Sequence, residues 1–150
     1  PQALRVDLAM WRDPVVVNGD HTARYDFHDL PGTAALVQKF TEGEYYCGSA
    51  VAAQVVGVGE VHVTSDRCHS ISVPAASGKR LILISSASSW DPDTDLVASA
   101  GALLDGVAGK TYADLRAAHV PWWAEFWSRT FVHLTSDNGV ADFMERVRNL

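Results

Sequence analysis

The chain predicts a mainly β protein: an antiparallel β-sandwich, then a C-terminal helical linker and the start of an α-helical domain. Three observations carry this. Short β-rich runs broken by turn chemistry fill the sequence as far as Trp90, the pattern of a sandwich or barrel. Sustained helical periodicity is confined to the part after Trp90, so strands and helices are segregated along the chain. The strand–helix–strand alternation that a parallel sheet requires is missing.

The elements follow in order. Leu4, Val6, Leu8 and Met10 alternate with Arg5, Asp7 and Ala9, the two-residue period of a half-buried strand. Val15–Val17 is a short β-branched run closed by the turn signal Asn18-Gly19-Asp20. Alternation resumes from Arg24 to His28 and is broken at Leu30-Pro31-Gly32, while Ala35–Phe40 fits strand or helix. Tyr45–Val58 is β-rich, with Gly48 inside it and a turn or bulge expected where Gly57 and Gly59 flank Val58. Val61–Thr64 and Ile71–Val73 are two more short strands. After Ser77-Gly78-Lys79, the run Leu81-Ile82-Leu83-Ile84 suits a strand buried on both faces.

Beyond Trp90, Asp91-Pro92-Asp93-Thr94-Asp95 opens a helix to about Asp105, with Leu96, Ala100, Leu103 and Leu104 on one side and Gly106 and Gly109 closing it. The carboxylates have the spacing that begins a calcium loop. Leu96 and Ala102 stand where that loop needs glycine and glutamate, so helix capping is the reading they support. Thr111-Tyr112-Ala113-Asp114 has the form of a short capping box, starting a helix from Tyr112 to about Thr130, with a kink or restart expected at Pro121. Phe131–Leu134 reads as extended. Val140, Phe143, Met144, Val147 and Leu150 then mark a last apolar helix face, capped by Asp137 or Asn138. The uncapped apolar end, and a start without methionine or signal peptide, lead us to expect a piece of a longer protein.

Composition narrows the function classes. The chain is 47% hydrophobic and 20% charged, which gives enough apolar residues for a core. A net charge of −6 with no Lys/Arg run argues against nucleic acid or an anionic membrane as partner. No apolar run approaches the roughly 18 residues of a membrane span. Cys47 and Cys68 leave open whether they pair. His62, Cys68 and His69 match no zinc spacing, and no metal or cofactor is expected. Glu42, Glu44, Glu60, Glu125 and Glu145 are scattered with nothing pairing them, so no catalytic residue is assigned.

The sharpest local feature is His119–Phe131, which holds three of the five tryptophans. On a helix, Leu115, Ala118, Trp122 and Phe126 form one row and His119, Trp123 and Trp127 the next. Glu125 and Arg129 lie off this face in the order that favours an ion pair. Such a surface stacks sugars or packs against another part of a protein. A two-row stripe along a helix favours packing, through Leu115, His119, Trp122, Trp123, Phe126 and Trp127.

Tyr112, Asp114, Leu115, His119, Trp123, Phe126, Arg129, Val132 and Leu134 follow the order Y-x-D-L-x-x-x-H-x-x-x-W-x-x-F-x-x-R-x-x-V-x-L. This resembles the linker of glycoside hydrolases that join an N-terminal β-sandwich to an (α/α)6 barrel, especially glycoside hydrolase family 95 and its relatives. Pro121 and Thr135–Gly139 depart from that pattern. The resemblance implies a sandwich domain over 1–108, a helical linker over 109–136 and the first barrel helix over 137–150. It also implies a parent acting on α-linked sugars such as α-L-fucosides or α-galactosides, outside the cytoplasm, in the secreted or periplasmic space. Its catalytic residues would lie in the C-terminal domain, this region's principal partner. An autonomous glycan-binding sandwich and an interaction domain docking through the Trp-rich helix are the alternatives. Exposure of Trp90 with Tyr45 or Tyr46 on a concave sheet face would favour the first of these two.

Overall fold

The computed structural model describes residues 2–57, 60–129, 136, 137 and 139–141, and for 60–64 the backbone only. The chain divides into two compact units, 1–109 and 110–150.

The first unit is a β-sandwich with a helix. Its strands are β1 (Gln2–Ala9), β2 (Val15–Asn18), β3 (His21–Leu30), β4 (Thr33–Glu42), β5 (Tyr45–Val55), β6 (Glu60–Ser65), β7 (Cys68–Ala76) and β8 (Ile82–Ser89). They form a three-stranded sheet in the order β1-β7-β6 and a five-stranded sheet in the order β2-β3-β4-β5-β8. Every pairing is antiparallel. Ala35–Phe40, ambiguous by pattern, lies in β4 at the centre of the larger sheet.

Three two-residue turns build the meander from β2 to β5. Gly19 and Gly43 take the first position of their turns with φ of 65° and 57°, as II′-type hairpins require. In the Pro31-Gly32 turn, proline presets the first position and Gly32 supplies φ of 66° at the second, the type II arrangement. Each turn fixes a register: Asn18 faces His21, Leu30 faces Thr33 and Glu42 faces Tyr45.

Side-chain parity then sorts the larger sheet into two faces. One face carries Ala34 and Ala53, which meet Ile71 and Val73 of the smaller sheet in the core, flanked by Leu4, Val6 and Leu8. Phe27 stacks on His69 at 4.4 Å, and the His69 imidazole is 2.7 Å from Asp29 Oδ1. Arg12 donates to the carbonyls of Asp13, Ala23 and Arg24 and lies over the Tyr25 ring, pinning the segment before β2. The other face lies under α1 (Leu96–Asp105), where Leu96, Ala100 and Leu104 are buried. There the Ser85 hydroxyl donates to the Ala100 carbonyl at 2.7 Å.

Two apolar expectations are corrected by this layering. Leu81–Ile84 is not buried on both faces. β8 is an edge strand, so Leu83 is buried while Ile84, on the opposite face, is 70% exposed. Leu103 likewise points away from the sheet and is exposed. Capping follows the expectation: Asp95 is the N-cap of α1 and accepts from the Ala98 amide at 2.9 Å.

The second unit is built on α2 (Tyr112–Arg129). It runs through Pro121 without a restart, although proline leaves the Ala117 carbonyl without its helical donor. Phe131–Leu134 and most of the terminal helix lie outside the described residues. Val140 and Ala141 are helical, and the Ala141 amide donates to Ser136 Oγ at 2.9 Å.

The start of α2 is a reciprocal capping box. The Asp114 amide donates to Thr111 Oγ1, while the Thr111 amide and hydroxyl donate to Asp114 Oδ2 at 2.8 and 2.7 Å. Those two bonds, the hydroxyl's first, hold the Asp114 carboxyl below its ordinary 3.8. A depressed folded pKa stabilises in full above 3.8 and is lost as pH falls through the lower folded value. Amide exchange at Thr111 is therefore expected to lose protection only in acid, and Asp114→Ala to abolish that protection at neutral pH as well. Protection that ignores pH between 2 and 6 would contradict the box.

Candidate functional site

Two aromatic surfaces stand out, one in each unit. On α2 the two expected rows form. Trp122 stacks on Phe126 with centroids 5.5 Å apart and planes 9° apart, and Trp123 on Trp127 at 6.1 Å and 19°. Edge contacts cross between the rows, Trp122 to Trp123 at 4.8 Å and Phe126 to Trp127 at 5.1 Å. His119 tilts against Trp123 at 5.8 Å, and Leu115 is half-buried one turn earlier. Among the described residues α2 has no buried side chain. Trp122 is 57% and Trp127 51% exposed. Glu125 and Arg129 form the expected ion pair, which with Trp122 and Phe126 bounds a shallow recess of about 150 Å³.

The second surface lies on the sandwich, where the larger sheet extends past the smaller one. The Gly43-Glu44 turn sets Glu42 opposite Tyr45 and Phe40 opposite Cys47, which places Phe40 diagonal to Tyr45 on one face. Phe40 is equally diagonal to His21, which pairs with Glu42. The result is a row across the strands: His21 to Phe40 at 5.9 Å, Phe40 to Tyr45 at 6.4 Å and Tyr45 to Trp90 at 5.5 Å. Trp90 is 67% and Tyr45 51% exposed. Tyr46 has the other parity and points towards Leu96 of α1, so Tyr45 is the tyrosine that joins Trp90.

Trp90 is held by a knotted turn. The Ser89 hydroxyl is 2.8 Å from that of Thr94 and accepts from the Asp91 amide, while Asp91 Oδ1 accepts from the Asp93 amide. Of the triplet expected to cap the helix, Asp95 does so and Asp91 serves the turn instead. At the other end of the row, Asp20 and Glu42 carboxylates lie 3.5 and 3.2 Å from His21 Nε2. A cleft of about 200 Å³ opens beside Phe40, lined among others by Arg12, Gln38, Cys47 and Ser49.

Sequence reasoning singled out Trp90 and Tyr45 but missed Phe40 and His21. Their signal was the two-residue spacing of Gly43-Glu44, which fixes the register once the hairpin is accepted. Cys68 and His69 are neighbours on β7 and point to opposite sides of it, so the strand itself separates them. Cys47 and Cys68 are free thiols. Of the scattered glutamates, Glu42 faces His21 and Glu125 faces Arg129; the Glu60 side chain and Glu145 lie outside the described residues. Among the described residues no helix is long and apolar enough to cross a membrane. Compared with protein-family models, curated proteins and solved structures, the chain matches none of them.

Proposed function

We propose that the chain is the non-catalytic β-sandwich and linker region of a carbohydrate-active enzyme. The enzyme is a glycoside hydrolase acting on α-linked sugars such as α-L-fucosides or α-galactosides outside the cytoplasm. Its catalytic carboxylates lie in a helical (α/α)6 domain of the same protein, and α2 is the packing surface against that domain. The observation that carries this reading is the exposed four-ring face of Trp122, Trp123, Phe126 and Trp127. A contiguous apolar face of this kind on a helix marks an interaction surface. The order of residues from Tyr112 to Leu134 supports the enzyme class through its resemblance to the linker pattern.

The test compares two proteins: this chain, and the natural gene product identified by its intact mass. Nitrophenyl α-L-fucoside and α-galactoside are expected to be cleaved by the longer product and left intact by the 150-residue chain. Trp127→Ala is expected to destabilise the longer product by about 2–3 kcal/mol, the worth of a buried indole at about 25 cal/mol per Å². In the short chain the same change should cost less, about 0.5–1.5 kcal/mol for the ring contacts to Trp123 and Phe126. Equal effects in both proteins would remove the packing role. A natural product of this length would leave α2 as a docking surface for a separate partner.

A further inference from the structure

We infer that the ring row His21–Phe40–Tyr45–Trp90, with the cleft beside Phe40, is a binding site for a soluble, neutral oligosaccharide. The site belongs to the sandwich and is independent of the α2 face. The choice of a sugar over another uncharged polar ligand rests on the carbohydrate reading above; the geometry does not.

Four features converge. First, the rings are displayed. Two of the four, adjacent in the row, have more than half their surface open, and contiguous exposed apolar surface marks an interaction site. Second, the row is rigid: Phe40 and Tyr45 are fixed by hairpin register, and Trp90 by the Ser89–Thr94 turn. Aromatic faces held in place give contact area at little entropic expense.

Third, the rings are not coplanar. Successive planes are inclined by 49°, 72° and 61°, so they line a bent track. That shape accepts a flexible chain of pyranose rings, whose C–H faces pack on aromatic carbons. It does not fit the flat surface of a crystalline polysaccharide. Fourth, the polar groups around the row have mixed character. Asp20 and Glu42 stand beside His21, and Arg12, Gln38 and Ser49 line the cleft. Carboxylate, amide and hydroxyl groups accept from and donate to sugar hydroxyls. The carboxylates disfavour a phosphate or sulfate beside His21, while the Arg12 guanidinium lies in the cleft, so the test includes a sulfated ligand.

The probes are the neutral trisaccharides raffinose, which ends in an α-galactosyl residue, and fucosyllactose, which carries an α-fucosyl residue. Titration into the full chain is followed by tryptophan fluorescence and calorimetry, with circular dichroism confirming the fold of each variant. At least one trisaccharide is expected to bind. Trp90→Ala and Tyr45→Ala should each weaken that binding roughly three- to tenfold, the range of one aromatic contact. Thr41→Ala, on the opposite face of β4, should leave it unchanged. Binding of neither sugar by the folded chain overturns the site. So does binding that ignores both ring substitutions, or a preference for a polyproline peptide or a sulfated oligosaccharide. Hydrolysis by the longer gene product is scored separately, so loss of the site and loss of the enzyme reading are distinguishable.

Discussion

Ile71→Ala is expected to remove about 2–5 kcal/mol of stability, the usual cost of cutting a buried isoleucine to alanine. Ile71 sits mid-strand in β7, paired with Val6 on one side and Val61 on the other, and is fully buried. Its neighbours in the core include Ala34, Ala53 and Val55 of the larger sheet. The alanine methyls cannot swing in to fill the space a sec-butyl group leaves, so part of the cavity persists. A domain of this size has about 5–15 kcal/mol in total, and the substitution is a large fraction of that. Urea titration should show a lower midpoint with an unchanged slope. A loss below about 1 kcal/mol would mean that the two sheets are not held together at this point. Ile71→Val, which deletes one methyl, should cost about 0.5–1.5 kcal/mol.

Gly48→Ala is the second large effect, and its cause is the opposite one. A Cβ at Gly48 would lie 2.5 Å from Tyr46 Oη and 2.6 Å from Leu96 Cδ1. Leu96 is the first residue of α1, fixed by the Asp95 cap and buried, so it has little room to retreat. Overpacking of this kind costs about 1–3 kcal/mol. Tyr46 Oη is itself buried with no hydrogen-bond partner among the described residues. Tyr46→Phe should therefore be neutral or stabilising, because it removes a desolvated oxygen that gains nothing in return. It should also recover part of the Gly48→Ala loss, since the nearer clashing atom is gone. A double-mutant cycle measures this; strict additivity of the two changes would show that the clash is relieved elsewhere.

How much of this was legible in the sequence divides along one line. Features set by neighbours in the chain were readable: the turns at Gly19 and Pro31-Gly32, the Asp95 cap, the Thr111–Asp114 box, and the two rows of α2. Features set by distant chain segments were not. Ile84 and Leu83 are adjacent and equally apolar, and only the edge position of β8 exposes one and buries the other. Leu103 carries the periodicity of Leu104 but falls outside the arc that the sheet covers. His21, Phe40, Tyr45 and Trp90 span seventy positions of the chain, and no periodicity within one strand announces that they share a face. The helix expected from Tyr112 to about Thr130 is α2, which continues through Pro121 without the restart that its local chemistry allows.

The contrast between the two sheets also sets an order of assembly. The meander from β2 to β5 closes through three two-residue turns, and contacts of such short range form early. β1 has no such help: Gln2–Ala9 must find Cys68–Ala76 after the intervening strands have taken their places. Its loop-closure entropy grows with the logarithm of that separation. In pulse-labelled refolding, amides of β4 and β5 should be protected first and those of Val6 and Leu8 last, so the smaller sheet is completed on the template of the larger one.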